Sequence, residues 1–279
     1  MNSLRLRFPG GKLKCFTMSY DDGVEQDVRL ISIMRRRAVK GTFNLNSGLF
    51  AQEGTVYPAG QVHRRMTLAA CKKAYAGSDI EIAVHGYTHA FWDALPGARR
   101  VMDIARDREE LEAAFGRIVR GAAYPYGAYD EDTIAALAAC GIAYCRTVNS
   151  THGFALPKRF LELNPTCHHN DEKLFELGER FVGETRQREP LLFYLWGHAY
   201  EFEDRDNWQR IEDFLALIGG QADVWYATNI ELYDYVCAFS QLQTTLLGDI
   251  AHNPTSTELW FAKDERIFRI GAGETLEMK

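Results

Sequence analysis

Short apolar runs alternate with longer amphipathic stretches along most of this chain, and that alternation restricts the fold more than any other feature. Residues 14–19, 41–45, 80–84, 121–124, 143–148, 191–196 and 224–227 read as strands. Helical patterns at 25–37, 99–118, 131–139, 172–188, 208–217 and 230–239 separate them. A strand, a helix and a further strand imply parallel pairing, because a parallel connection has to cross over the sheet. Roughly seven units of about 30 residues predict an α/β fold, an irregular (β/α)7-type barrel. The pattern changes near residue 246. Segments 258–262 and 266–270 flank Lys263-Asp264-Glu265 as a hairpin, and Asn253-Pro254 marks a plausible boundary. The expected organisation is a barrel over residues 1–245 and a small C-terminal β appendage over 246–279.

Composition narrows the function classes. The 279 residues are 46% hydrophobic and 25% charged, ordinary values for a globular chain with an ample core. The net charge is −6 with both signs mixed throughout, so the basic stripe of a nucleic-acid binder is missing. Arg35-Arg36-Arg37 reads as the solvated end of a helix. No stretch approaches the ~20 apolar residues of a membrane span, and residues 1–11 lack the apolar run of a signal peptide. Cys15, Cys71, Cys140, Cys145, Cys167 and Cys237 are scattered without a Cys-x-x-Cys pair, which favours reduced, structural thiols. The expectation is a cytoplasmic protein.

Polar candidates gather at the carboxyl ends of the expected strands, the rim where catalytic side chains converge in such barrels. Asp21-Asp22-Gly23 follows the first strand. Taken alone it is a turn or a helix cap as readily as a site. Two adjacent carboxylates can also divide labour, one ligating a cation while the other accepts a proton. His85-Gly86-Tyr87-Thr88-His89 follows the third strand, and its four-residue spacing places two imidazoles on one side of a turn. With one carboxylate these histidines form a metal-ligand set with open positions, suited to zinc and equally to non-haem iron. Tyr124-Pro125-Tyr126-Gly127 stiffens the rim and can present a backbone N–H. Arg146 lies near the end of the fifth strand, and His198 follows the strongly apolar run at 191–196.

Together these segments resemble the polysaccharide deacetylases of carbohydrate esterase family 4. Ser19-Tyr20-Asp21-Asp22-Gly23 is similar to the family's first motif, His85 to His89 to its second, Tyr124-Pro125-Tyr126-Gly127 to its third, and Leu195-Trp196-Gly197-His198 to its last. They occur in the family's order over roughly residues 12–238. The resemblance implies hydrolysis of an acetyl group from an N-acetylated carbohydrate. Asp22, His85 and His89 would hold a divalent metal, zinc or else cobalt or nickel, that lowers the pKa of a water toward about 7. Asp21 would be the general base, the Tyr126 N–H an oxyanion donor and His198 the acid for the departing amine.

One departure is specific. The family's third motif opens on an arginine that orients the base, and this chain has Ala123 there. Arg146 is expected to supply the guanidinium to Asp21 from elsewhere on the rim. The usual tryptophan-containing fourth motif is not recognisable. His168 and His169 are adjacent, unlike a ligand pair, and are not read as metal ligands. Tyr200, Glu201, Phe202 and Trp208 read either as sugar contacts or as packing. His63, His152 and His252 carry no motif. Two alternatives stand beside the deacetylase reading: an amidase acting on a cyclic imide or ureide, and a carbohydrate-binding relative that has lost turnover. Retention of Asp22, His85 and His89 argues against the amidase.

Overall fold

The computed structural model describes residues 4–185 and 188–278. A short strand β1 (Arg5–Arg7) precedes β2 (Lys14–Asp21), β3 (Gly41–Leu45), β4 (Ile80–Val84), β5 (Gly121–Ala123), β6 (Tyr144–Arg146), β7 (Cys167–His168), β8 (Leu191–Gly197) and β9 (Val224–Tyr226). Strands β2 to β9 form one parallel sheet in the order β6-β5-β4-β3-β2-β8-β7, with β9 also paired to β2. Helices α1 (Asp27–Arg36), α2 (Leu68–Ala74), α3 (Gly97–Phe115), α4 (Glu131–Ala139), α5 (Leu174–Gly183), α6 (Tyr200–Asp204), α7 (Trp208–Ile218) and α8 (Asn229–Ser240) surround it. The sheet curls into a half-barrel, as the strand–helix alternation predicts.

All eight residues of β2 are buried, which is what a central parallel strand covered on both faces requires. Alternate side chains serve different layers. Phe16, Met18 and Tyr20 join Phe193 and Leu195 of β8 in the larger apolar core against the helices. Thr17, Ser19 and Asp21 face the other way into a polar network. Thr17 Oγ1 donates to Asn229 Oδ1 (2.7 Å), and Ser19 Oγ pairs with Tyr194 Oη (2.8 Å). On neighbouring strands Thr42 and Tyr144 donate to Glu81 at 2.8 and 2.7 Å. Asp21 is the last residue of the strand.

The C-terminal hairpin forms between β12 (Leu259–Lys263) and β13 (Arg266–Ile270), in register Phe261 to Phe268. Strand β1 adds antiparallel to its outer side, pairing Leu6 with Phe261. The short strands β10 (Gln243–Thr244), β11 (Ile250–His252) and β14 (Thr275–Glu277) make a second antiparallel sheet. Leu6, Phe8, Leu259, Phe261 and Ile270 pack with Tyr235 of α8 as a second apolar core. Tyr235 Oη donates to the Arg7 carbonyl and accepts from Trp260 N, tying both chain ends to the barrel.

Several elements lack a sequence signal. Strand β7 has two residues, too few to show a period, and α2 and α6 span only seven and five. The helix expected over 172–188 forms over Leu174–Gly183, and its residues 186–187 lie outside the described residues. So do residues 1–3 of the segment read for a leader, and residue 279 of the tail. All six cysteines are free. Among the described residues no helix is long and apolar enough to cross a membrane.

Asp27 opens α1 fully buried. Its Oδ2 accepts from Val24 N (3.1 Å) and Tyr75 Oη (2.6 Å), while Oδ1 has no partner. Burial, only partly offset by these two donors, pushes the carboxyl up to about 8. A group whose folded pKa is raised stabilises fully below its unfolded pKa, and that contribution is lost as pH rises through the folded value. Urea unfolding is therefore expected to show stability falling between about pH 4 and pH 8, by at most about 1.4 kcal/mol per pH unit from this group. Asp27→Asn is expected to flatten that slope.

Candidate active site

Strand register decides which side chains meet at the rim. Asp21 pairs with Asn44 across β2 and β3, and Asn44 Nδ2 donates to Asp21 Oδ1 at 2.7 Å. Ala123 of β5 pairs with Arg146 of β6. An arginine on the adjacent strand therefore reaches the place that Ala123 leaves empty. The Arg146 guanidinium donates through Nη2 to Asp21 Oδ2 in a short ion pair, with both side chains almost wholly buried. It lies flat near the Trp196 ring, 4.3 Å from the centroid, an arrangement that favours a planar cation. Burial alone would raise the Asp21 carboxyl. Arg146, then His85 and His198, outweigh burial and hold it below the usual carboxylate range.

After Asp21 the chain turns sharply, with Asp22 and Gly23 both in the left-handed region (φ 81° and 66°). That turn aims the Asp22 carboxylate back at the rim. His63 Nε2 sits 3.1 Å from its Oδ2, and Arg65 Nη2 donates to its Oδ1 at 3.0 Å. Arg65 Nη1 also donates to the Asp22 carbonyl and to Asn46 Oδ1. Burial would raise Asp22, but the His63 contact, His85 and Arg65 carry it far below the carboxylate range.

The His85 to His89 segment is a tight loop after β4, not a helical turn. Gly86 and His89 have φ of 81° and 53°. Asp107 accepts from the His85 and Ser47 N–H groups. Asp103 accepts from Thr88 N, Thr88 Oγ1 and Trp92 Nε1. His85 Nδ1 lies 2.9 Å from the Ala123 carbonyl, which can only accept, so this nitrogen carries the proton and Nε2 the lone pair. That Nε2 stands 3.1 Å from His89 Nε2. Burial lowers both histidines, and the nearby His85 helps to bring His89 down to about 4.

Two neutral imidazoles and one carboxylate thus converge, with ligand atoms of Asp22, His85 and His89 all within 4.8 Å. Neutral His89 either donates from Nε2 to the His85 lone pair or, protonated at Nδ1, turns a second lone pair toward the space the two rings share, where a cation can sit. The donor set fits a divalent metal with open positions.

Tyr126 completes this side of the rim. Its backbone is left-handed (φ 58°, ψ 2°), and its ring meets His89 at 4.4 Å and stacks on Phe91 at 4.0 Å. From the opposite side, His198 Nε2 comes within 3.7 Å of Asp21 Oδ2. Its Nδ1 lies 2.9 Å from Glu201 Oε1. Burial would lower His198, but Glu201 and then Asp21 raise it above the usual imidazole value. Gly197 is required just before it, since a Cβ there would lie 2.0 Å from His169 Nδ1.

All seven singled-out residues (Asp21, Asp22, His85, His89, Tyr126, Arg146 and His198) therefore surround one rim. His63 was read without a role, yet it touches Asp22. Asn44, Arg65 and Asp107 were not singled out, because only strand pairing and loop packing bring them here. His152 and His252 stand apart, bonded to Asp171 and Thr275.

A sequence model described as polysaccharide deacetylase matches residues 10–145, which include Asp21, Asp22, His85, His89 and Tyr126. No curated protein matches the chain. Among solved structures, a protein from Mycobacterium smegmatis assigned to the polysaccharide deacetylases is 18% identical, with 88% of this chain and 98% of that one covered at a TM-score of 0.59. That likeness is one of fold. A family 4 carbohydrate esterase from Streptomyces lividans in complex with acetate is 16% identical over 72% of this chain and 88% of that chain, at a TM-score of 0.46. A Streptococcus pyogenes deacetylase in complex with acetate is 19% identical over 52% of this chain and 61% of its own length, at a TM-score of 0.45.

The donor geometry makes a direct prediction. Equilibrium dialysis with elemental analysis is expected to find about one divalent metal per chain, and His89→Ala is expected to weaken binding by at least about tenfold.

Proposed function

We propose that this chain, whose residues 10–145 match the polysaccharide deacetylase model, hydrolyses the acetyl group of an N-acetylated sugar or polysaccharide, releasing acetate and a free amine. The observation that carries the reading is one carboxylate, Asp21, placed between a metal-ligand set and His198. The base, the ligands and the acid are thereby within reach of a single scissile bond.

Asp22, His85 and His89 would hold the metal, zinc in this reading, with cobalt or nickel suiting the same donors. Such an ion supplies Lewis acidity and makes water acidic enough to react near neutrality. Asp21 is the proton acceptor for the attacking water. Arg146 and Asn44 each hold one of its oxygens and so fix which lone pair faces the substrate. Arg146 thereby does the orienting work that Ala123 cannot. The Tyr126 N–H is the oxyanion donor, and one such donor lowers the barrier by about 3 kcal/mol. His198, held protonated above its usual range, delivers a proton to the departing amine. An amide needs that step more than an ester does, because an amine anion leaves poorly.

Acetate release from chitooligosaccharides, measured before and after chelation, tests the proposal. Activity should vanish with the metal and return on adding zinc, cobalt or nickel. Activity indifferent to chelators would overturn it. Asp21→Asn is expected to lower kcat by about 10²–10⁴-fold with little change in KM. Arg146→Met should lower kcat less than Asp21→Asn does.

A further inference from the structure

A second cluster borders the site. Glu201 is partly buried, its side chain 17% exposed, and gathers four polar neighbours around one carboxylate. Its Oε1 lies 2.9 Å from His198 Nδ1. Its Oε2 accepts from Asn170 Nδ2 at 2.6 Å and lies 3.1 Å from His169 Nε2 and 3.4 Å from His168 Nε2. Ligand atoms of His168, His198 and Glu201 are close enough together to hold a metal ion. Two readings of the cluster therefore compete: a second cation site, or a hydrogen-bonded anchor for His198.

The tautomers decide between them. His168 Nδ1 accepts from the Asn170 backbone N–H at 3.1 Å, so in the neutral ring the proton sits on Nε2, which faces Glu201. His169 Nδ1 lies 3.2 Å from Tyr20 Oη, whose single hydroxyl hydrogen has no other recorded acceptor. Its Nε2 then also carries the proton toward Glu201, at an angle too oblique for a straight hydrogen bond. The ring is clamped between Tyr20 and Phe202, stacked on both, and cannot turn to present the other nitrogen. Both rings therefore aim protons, not lone pairs, at Glu201. A metal ion there would have to displace them.

We infer that Glu201, braced by Asn170, His168 and His169, is the positioning residue that fixes His198 with its Nδ1 protonated and its Nε2 turned to Asp21. The consequence rests on the deacetylase reading: Nε2 is then the atom that carries the transferable proton. The charged and titratable groups around His198 are Asp21 and Asp22 at the end of β2, Glu201 and Tyr200 on α6, and His168 beyond β7. Arg146 lies on the far side of Asp21. Of these, Glu201 alone touches Nδ1 among the contacts described.

Nitrogen-15 NMR of histidine-labelled, unmodified protein tests the tautomer without any substitution. A neutral His198 protonated at Nδ1 supports the inference; one protonated at Nε2 with a bare Nδ1 overturns it. In acetate-release assays Glu201→Gln should lower kcat at least about tenfold while KM changes less than about twofold. The proton donor must be protonated to act, so activity falls as pH rises through its pKa. Removing the Glu201 charge should therefore move that alkaline limb down by about one pH unit. Glu201→Asp should recover part of kcat and of the limb. A Glu201→Gln protein with unchanged kcat and limb overturns the inference. A second metal per chain that disappears in Glu201→Gln overturns it too, in favour of a cation site. If the unmodified protein releases no acetate, the deacetylase reading fails, and the imidazole spectrum still decides the role of Glu201.

Discussion

The rim is organised around one buried ion pair, Asp21 with Arg146. Each side chain is at most 2% exposed. Removing either partner would leave an uncompensated buried charge, which costs about 3–5 kcal/mol. A pair of this kind is weak evidence for stability in itself, because apolar replacements often do as well. Its significance lies in what it fixes. For the guanidinium to reach Asp21, β6 has to run beside β5 with Arg146 opposite Ala123, and Trp196 has to lie beneath the cation. Three strands far apart in sequence are thereby placed around one carboxylate.

Below that pair the barrel interior is polar, and it stays closed because its groups satisfy one another. Tyr194 Oη meets both Ser19 Oγ and Asn229 Nδ2, and Asn229 Oδ1 accepts from Thr17. Glu81 accepts from Thr42, Tyr144 and the Ile230 N–H at the start of α8. Fully connected networks of this type specify a geometry where apolar packing would tolerate several. The second apolar core then closes around Tyr235, drawing β1 and the C-terminal hairpin onto the same barrel. The appendage thus contributes to holding the strands that carry the site, although no rim residue comes from it.

How much of this was legible follows from how each feature is encoded. Asp22-Gly23 and His85 to His89 are local: the residues that act together are neighbours in the chain, and a strand precedes each. The position of Arg146 opposite Ala123 depends on register, yet an arginine at a strand end beside a missing one was enough to point to it. Arg65 and His63 could not be read, because they arrive on a loop with no secondary structure of its own. That loop is tied down by Met66 N to the Gly23 carbonyl and by Arg64 to Glu203. Glu201 shows a different limit. Its spacing of three from His198 was visible, but whether it faced sugar, core or imidazole depended on where the short helix α6 turned. The two-residue strand β7 carries no periodicity, so the placement of His168 and His169 was equally hidden.

The electrostatic design separates groups of similar chemistry by environment. Asp21 and Asp22 are adjacent, and each is held low by its own neighbours, the Arg146 guanidinium for one, and a hydrogen bond to His63 with the Arg65 guanidinium for the other. Burial lowers both His85 and His89, and His85 lowers His89 further, which favours neutral rings with a lone pair each. Burial acts on His198 in the same direction, yet Glu201 and then Asp21 raise it above the usual imidazole value. In the proposed mechanism, pushing like groups in opposite directions gives one site its ligands, base and acid from only two side-chain types. Arg146 holds Asp21 low and makes it a weak base, so in the proposed mechanism the proton it takes from water moves on once His198 has given its own Nε2 proton to the departing amine. His198 Nε2 lies 3.7 Å from the same oxygen that Arg146 binds. In that mechanism the ion pair that positions Asp21 also makes it depend on His198.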